Sequence, residues 1–220
     1  MARTRTLLLL AALAVSIAAP VVAQTFSDSF TFLKAVRERD GATAERILST
    51  PGTTVLNARD PGSGETALHI LVRGRDAVWL GYMLGRGARP DTGDREGSTP
   101  LILAAQLGWI DGAETLLARR ANPNLGNSRG ETPLIFAVLR RDMPMVRLLL
   151  LNRANPNQTD HVSGNSPIDY ARQDNRAAQI LRLLENPASV RSAPGVTGLN
   201  PTPPRPSIPT PRPAPATPRP

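Results

Sequence analysis

One short string recurs at a nearly fixed distance along this chain. Thr66-Ala67-Leu68-His69 returns as Thr99-Pro100-Leu101-Ile102, as Thr132-Pro133-Leu134-Ile135 and as Ser166-Pro167-Ile168-Asp169, at spacings of 33, 33 and 34 residues. Other positions keep the same register. Gly64, Gly97, Gly130 and Gly164 stand two residues before each start, and Leu71, Ala104, Ala137 and Ala171 stand five after it. Met83-Leu84, Leu116-Leu117, Leu149-Leu150 and Leu183-Leu184 follow seventeen and eighteen residues after the starts. A period of this length means one supersecondary unit per repeat. A single unit cannot bury its apolar face, so the units must stack.

The residues inside the period say what the unit is. Thr or Ser followed by Pro opens a helix, because the hydroxyl accepts from free backbone N–H groups and Pro suits the first helical position. Glycine just before it allows a tight turn. Ala104, Ala105 and Ala137 are small where neighbouring helices must come close, and the Leu pairs fall on the inner face of a second helix. Between copies run the stretches Gly87-Ala88-Arg89-Pro90-Asp91, Ala121-Asn122-Pro123-Asn124 and Ala154-Asn155-Pro156-Asn157.

This pattern resembles the ankyrin repeat over roughly residues 28–186. The resemblance implies an all-α solenoid of stacked helix-turn-helix units with capping repeats. The expected division is a capping repeat over 24–59, repeats over 60–93, 94–126 and 127–159, and a second capping repeat over 160–186. In the first cap, Phe30, Phe32, Leu33, Val36, Ile47 and Leu48 keep the helical spacing without the Thr-Pro start. Two departures stand out. The family places Gly after the second helix, where the chain turns left-handed; Gly87 fits, but Arg120 and Arg153 stand at the equivalent places. The loops 60–64 and 160–164 also run one residue longer than the two between them.

The family binds partner proteins through a concave surface made of loop tips and the exposed side of each first helix. Carried over to this chain, the contact positions are Arg95, Glu96, Gln106 and Leu107, then Ser128, Arg129, Leu139 and Arg140, then His161 and Val162. Leu107 and Leu139 are expected to be exposed apolar groups. The run from Glu96 to Arg129 and Arg140 hints at a partner with some acidic surface. The resemblance gives His69 a hydrogen-bonding role inside its turn.

Both ends differ from the middle. MARTRT is basic, Leu7 to Ala19 is apolar apart from Ser16, and Pro20-Val21-Val22-Ala23 follows. That is the order of an export signal, with cleavage expected after Ala23. The run of 13 residues falls short of the ~20 needed to cross a bilayer. The expected location is the periplasm, with secretion as the alternative. From residue 187 onward the chain carries four Arg and no acid, and ten of the last twenty residues are Pro. Such a segment is expected to be disordered or extended. It could serve as a spacer, as a PxxP ligand, or as a weak basic anchor to an anionic surface.

The net charge of +8 is mostly terminal, since residues 24–186 hold 20 basic against 18 acidic groups. No Lys/Arg stripe marks a nucleic-acid surface, and aromatics are only 4% of the chain. There is no Cys, and there are two His, so neither a thiolate nucleophile nor a usual zinc site can be assembled. Asp91-Thr92-Gly93 matches the aspartic-protease string once, but such enzymes need two carboxylates sharing a proton. No phosphate loop or Gly-x-Ser-x-Gly elbow is present. The sequence thus points to a non-catalytic protein-binding module without cofactor or metal, expected to be a monomer. Its rivals are an envelope-associated adaptor that uses the basic tail and a secreted effector acting on another cell.

Overall fold

The computed structural model describes residues 19–191, with side chains from Asp28 to Val190. Residues 1–18 of the expected export signal, and the Pro-rich segment from 192 on, lie outside the described residues. Among the described residues there are eleven helices and no strand. The chain divides into two compact units, the first ending at Ala58 and the second starting at Arg59.

In the first unit, α1 (Ala19–Glu38) turns back into α2 (Gly41–Leu48), and a 3₁₀ turn at Val55–Asn57 follows. Asp40 caps α2 by accepting from Thr43 N at 3.0 Å. Phe32, Leu33, Val36, Ile47 and Leu48 are buried, but Phe30 is 56% exposed and takes no part in the core.

The second unit is a two-layer stack. Its first helices are α3 (Ala67–Arg73), α5 (Pro100–Leu107), α7 (Pro133–Leu139) and α9 (Pro167–Gln173). Its second helices are α4 (Ala77–Gly85), α6 (Ile110–Ala118), α8 (Met143–Leu151) and α10 (Ala178–Glu185). Each helix packs on its own pair mate and on its counterpart in the next repeat. Thr66, Thr99, Thr132 and Ser166 are the N-caps of the first helices. Thr99 and Thr132 accept from Ile102 N and Ile135 N, each at 3.3 Å. Asp76 and Asp142 cap α4 and α8 in the same way, accepting from Trp79 N and Met145 N at 3.0 Å. Ala104, Ala105 and Ala137 are fully buried, and so are Met83, Leu116 and Leu149 between the layers. The small residues let the first helices approach; the large ones fill the space behind them.

The turn after the second helix keeps its left-handed form without Gly. Gly87 has φ +95°, while Arg120 and Arg153 have φ +63° and +65°. A left-handed L-residue costs ~1–2 kcal/mol, partly offset because Gly loses more entropy on folding. Arg120→Gly and Arg153→Gly are each expected to stabilise the protein by about 0.5–1 kcal/mol. The check is the midpoint of urea unfolding, which should rise for each and rise further for both. The turn after the first helix is left-handed as well, at Arg39, Arg75, Gly108 and Arg141. There the Arg side chains are used. Arg75 Nη2 donates to Leu107 O at 2.8 Å, and Arg141 Nε donates to Asp174 Oδ2 at 2.5 Å, each reaching into the following repeat.

Past α10 the chain turns once more. A short helix, α11 (Ala188–Arg191), lies against α8 and buries Val190. These residues fall inside the segment assigned by composition to the tail from 187.

Candidate binding face

The loops between repeats are hairpins, and an acidic or amide side chain at the head of each one builds it. Asp60 Oδ1 accepts from Gly62 N and Ser63 N at 2.8 and 3.0 Å. Asp94 Oδ1 accepts from Glu96 N and Ser98 N, both at 2.9 Å. Asn127 Oδ1 accepts from Arg129 N and Glu131 N, both at 3.0 Å. Asp160 Oδ1 accepts from Val162 N and Ser163 N at 2.8 and 2.6 Å. The backbone closes at Asp60 N–Glu65 O, Asp94 N–Ser98 O, Asn127 N–Glu131 O and Asp160 N–Asn165 O. The first and last hairpins are thus one residue longer, as the loop lengths predict. The recurrence of Asp60, Asp94, Asn127 and Asp160 at spacings of 34, 33 and 33 was open to inspection in the sequence.

Neighbouring hairpins are then tied tip to tip. Arg95 N donates to Ser63 O at 3.0 Å, Ser128 N to Glu96 O at 2.8 Å, and His161 N to Arg129 O at 2.7 Å. This spacing requires glycine. A Cβ on Gly97 would lie 2.9 Å from Ser128 N, and one on Gly130 would lie 2.9 Å from His161 N, and both residues have φ +77°. The ladder brings Arg95, Glu96, Ser128, Arg129, His161 and Val162 into one row of exposed side chains.

The first-helix positions divide. Leu139 is 51% exposed and Arg140 is exposed at the end of α7. Leu107, expected to be exposed, is half-buried, as is Gln106. Leu107 ends α5 just where Arg75 of the preceding repeat reaches over to its carbonyl. Val162, at 75% exposure, is the most open apolar residue of the hairpin row.

The charges are more nearly balanced than the sequence suggests. Arg129 chelates Glu131, with Nε–Oε2 at 3.0 Å and Nη2–Oε1 at 3.1 Å. Arg73 pairs with Glu65, and the Arg95 guanidinium donates to Pro61 O. Arg140 forms no hydrogen bond or ion pair among the described residues. The face therefore offers Leu139, Val162 and one uncommitted cation, not a basic strip.

Two buried polar groups behind the face are fully used. His69 Nδ1 accepts from Thr66 N at 3.1 Å and lies 3.0 Å from Thr66 Oγ1, and Nε2 lies 2.8 Å from Ser98 O. An Nδ1 that accepts a backbone N–H carries no proton, so Nε2–H donates to Ser98 O. The histidine thus bonds within its turn, as expected, and also reaches the next repeat. Burial lowers its pKa below the usual histidine value, against the opposing pull of the Ser98 carbonyl. Above pH ~7 the ring is neutral folded and unfolded alike. As pH falls below ~6.5 the unfolded chain takes up a proton that the folded one refuses. Stability is expected to fall from there down to the folded pKa, by at most about 1.4 kcal/mol per pH unit. Urea titrations from pH 7.5 to 5 check this; the His69 share of the slope should vanish in His69→Gln.

Asp160 is the other group. Burial works against its charge. The backbone and hydroxyl of Ser163, the Tyr170 hydroxyl and Val162 N outweigh burial and hold the carboxyl well below the usual carboxylate range. Tyr170 Oη and Ser163 Oγ both donate to Oδ2 at 2.7 Å. An acid bound by so many donors stays ionised at neutral pH and is a poor proton acceptor, so it serves the hairpin. Among the described residues no three His, Asp or Glu side chains are grouped to hold a metal ion, and no helix is long and apolar enough to cross a membrane.

Comparison with known proteins agrees with this architecture. A family model described as ankyrin repeats (3 copies) matches residues 32–127, and one described as ankyrin repeats (many copies) matches residues 116–171. Oxysterol-binding protein homolog 1 of Saccharomyces cerevisiae is 36% identical over 85 residues, which are 37% of this chain. The chain spans only 7% of that relative's length. With the two models running from residue 32 to residue 171 and the paired helices stacked beneath them, the chain belongs to the ankyrin-repeat family.

Proposed function

We propose that this protein is an exported, non-catalytic module that holds a partner protein against its hairpin tips and the C-terminal ends of α5 and α7. The observation that carries this reading is the tip-to-tip ladder. It fixes the backbone in register while leaving Arg95, Glu96, Ser128, Arg129, His161 and Val162 open to solvent. A rigid frame bearing exposed side chains loses little entropy on binding. Leu139 and Val162 are the apolar anchors, and Arg140 is the cation that favours an acidic group on the partner. The partner is thus a protein with a small apolar patch next to an acid. The basic, apolar and small-residue order of residues 1–23 supports export, with the periplasm as destination.

A second reading has its own support. Residues 187–220 carry four Arg and no acid, which suits an adaptor that leans on the cell envelope. Capture from the native envelope fraction separates the two. The baits are the intact chain, a chain ending at Arg191, and the triple variant Leu139→Ser, Arg140→Ala, Val162→Ser. Binding through the face predicts that the first two retain one partner and the triple variant loses it by at least tenfold. Capture that follows the tail instead would put the adaptor first.

A further inference from the structure

The loops that follow the second helices of the second unit carry a row of exposed arginines. The loops after α4, α6 and α8 are locked in register much as the hairpins are. Asn122 N donates to Asp91 Oδ1 at 2.9 Å, and Asn155 N donates to Asn124 Oδ1 at 2.7 Å. Asn124 Nδ2 donates to Arg153 O at 3.2 Å. This places Arg86 and Arg89 in the first loop, Arg119 and Arg120 in the second, and Arg153 in the third along one line. All five are exposed. The acid in these loops is Asp91, which is engaged in the ladder. Asp111 and Glu114 of α6 lie about 8–12 Å back along that helix from Arg119–Arg120, at 1.5 Å per residue.

Arg120 and Arg153 are the telling members. Both sit at left-handed backbone, with φ +63° and +65°, where the first of the three loops has Gly87. Unlike Arg75 and Arg141, their side chains make no hydrogen bond or ion pair among the described residues. Strain that brings no internal contact is a mark of a residue kept for an external one. Arg119 also turns along the row: a Cβ on Gly85 of the preceding repeat would lie 3.8 Å from its Nη2.

An apolar stripe runs into the same row. Val78, Tyr82 and Arg86 follow one another at i, i+4 on the outer side of α4, and Val78 is 63% exposed. Trp79 stands edge-on to Tyr82, at 5.3 Å between ring centroids and 72° between planes. Arg86 Nη1 donates to Tyr82 Oη at 2.8 Å, with its guanidinium carbon 5.6 Å from the ring centre. Trp and Tyr beside an exposed aliphatic residue and guanidinium groups suit the boundary between headgroups and acyl chains. Guanidinium also matches phosphate geometry better than ammonium does.

We infer that this edge docks the protein on an anionic phospholipid surface, with the arginine row on the phosphates and the α4 stripe at the acyl boundary. A cation row alone fits any polyanion. The Val78–Trp79–Tyr82 stripe adds an apolar contribution that a bilayer surface rewards and a solvated polyanion does not. The arginine row and the α4 stripe share no residue with the candidate binding face described above, so this inference does not depend on it.

The test is co-sedimentation of the full chain with vesicles of phosphatidylglycerol and phosphatidylcholine (1:3) and with phosphatidylcholine alone. The apolar segment at the N-terminus is common to every sample, so the reading is the ratio of the two affinities. Each Arg near such a surface contributes about fivefold. Arg119→Gln, Arg120→Gly, Arg153→Gly together should therefore lower the ratio on the order of 100-fold. The two Gly replacements relieve backbone strain, so loss of binding together with a raised urea midpoint excludes simple unfolding as the cause. Trp109 is buried, which leaves Trp79 to report on the surface. Its emission should shift to shorter wavelength on phosphatidylglycerol vesicles and stay in place with duplex DNA at equal phosphate concentration. An unchanged ratio in the triple variant, a wild-type ratio near one, or the same Trp79 shift with DNA would each overturn the inference.

Discussion

Gly112→Ala is expected to destabilise the protein by about 3 kcal/mol, although glycine is the poorest ordinary residue for a helix interior. The reason is Trp109, which precedes α6 and lays its ring over the helix. A Cβ on Gly112 would fall 2.0 Å from Trp109 Cε3 and 2.3 Å from Cζ3. No small adjustment relieves an overlap of that size. The ring must leave its place, and Trp109 is only 7% exposed where it is. Losing that burial exposes much of a side chain that buries ~150–250 Å². Gly81→Ala in α4 is the control. Nothing lies within 4 Å of the Cβ it would add, so it should gain about 0.5–1 kcal/mol from helix propensity. Urea unfolding of the two variants should move in opposite directions. Equal midpoints would mean that the Trp109 ring does not sit over α6 as described.

The second large effect is a pair of identical substitutions. Leu149→Ala is expected to cost about 3 kcal/mol and Leu139→Ala less than about 0.5 kcal/mol. Leu149 of α8 has no exposed surface and fills the space between the two helix layers, so truncation leaves a cavity as well as losing buried carbon. Leu139 ends α7 with half its surface in solvent. In a unit of this size a loss of 3 kcal/mol lowers the melting temperature by roughly 6–12 °C. The pair bears on function too. A leucine that adds little to stability but stays exposed on the candidate binding face is open to a partner. If Leu139→Ala proves as damaging as Leu149→Ala, Leu139 belongs to the core and drops out of the site.

Most of the architecture was legible because the repeat is written in residues whose physics is local. Thr66, Thr99, Thr132 and Ser166 cap helices wherever they stand before the right spacing, and Ala104 and Ala137 are small for a visible reason. The left-handed turns at Arg120 and Arg153 could be located by counting from Gly87. Other features depend on neighbours that only folding supplies. The overlap of Trp109 with Gly112 needs the turn before α6. The bond from the Arg75 side chain to the Leu107 carbonyl joins two repeats. The pairing of Arg129 with Glu131 removes a charge that looked available. Phe30 kept the spacing of the first helix yet faces solvent, since a spacing rule fixes a face only to within a residue or so. Val190 is apolar and isolated among tail-like residues, and nothing near it in sequence foretells its burial against α8.

The most direct test of the binding reading is site-specific photocrosslinking in the cells that make the protein. A benzophenone amino acid is placed singly at Leu139, at Val162 and, on the second-helix layer, at Glu114. The account predicts one adduct of the same partner mass from the first two positions and none of that mass from Glu114. Adducts from Glu114 alone, or none from Leu139 and Val162 while the protein is folded, would contradict it.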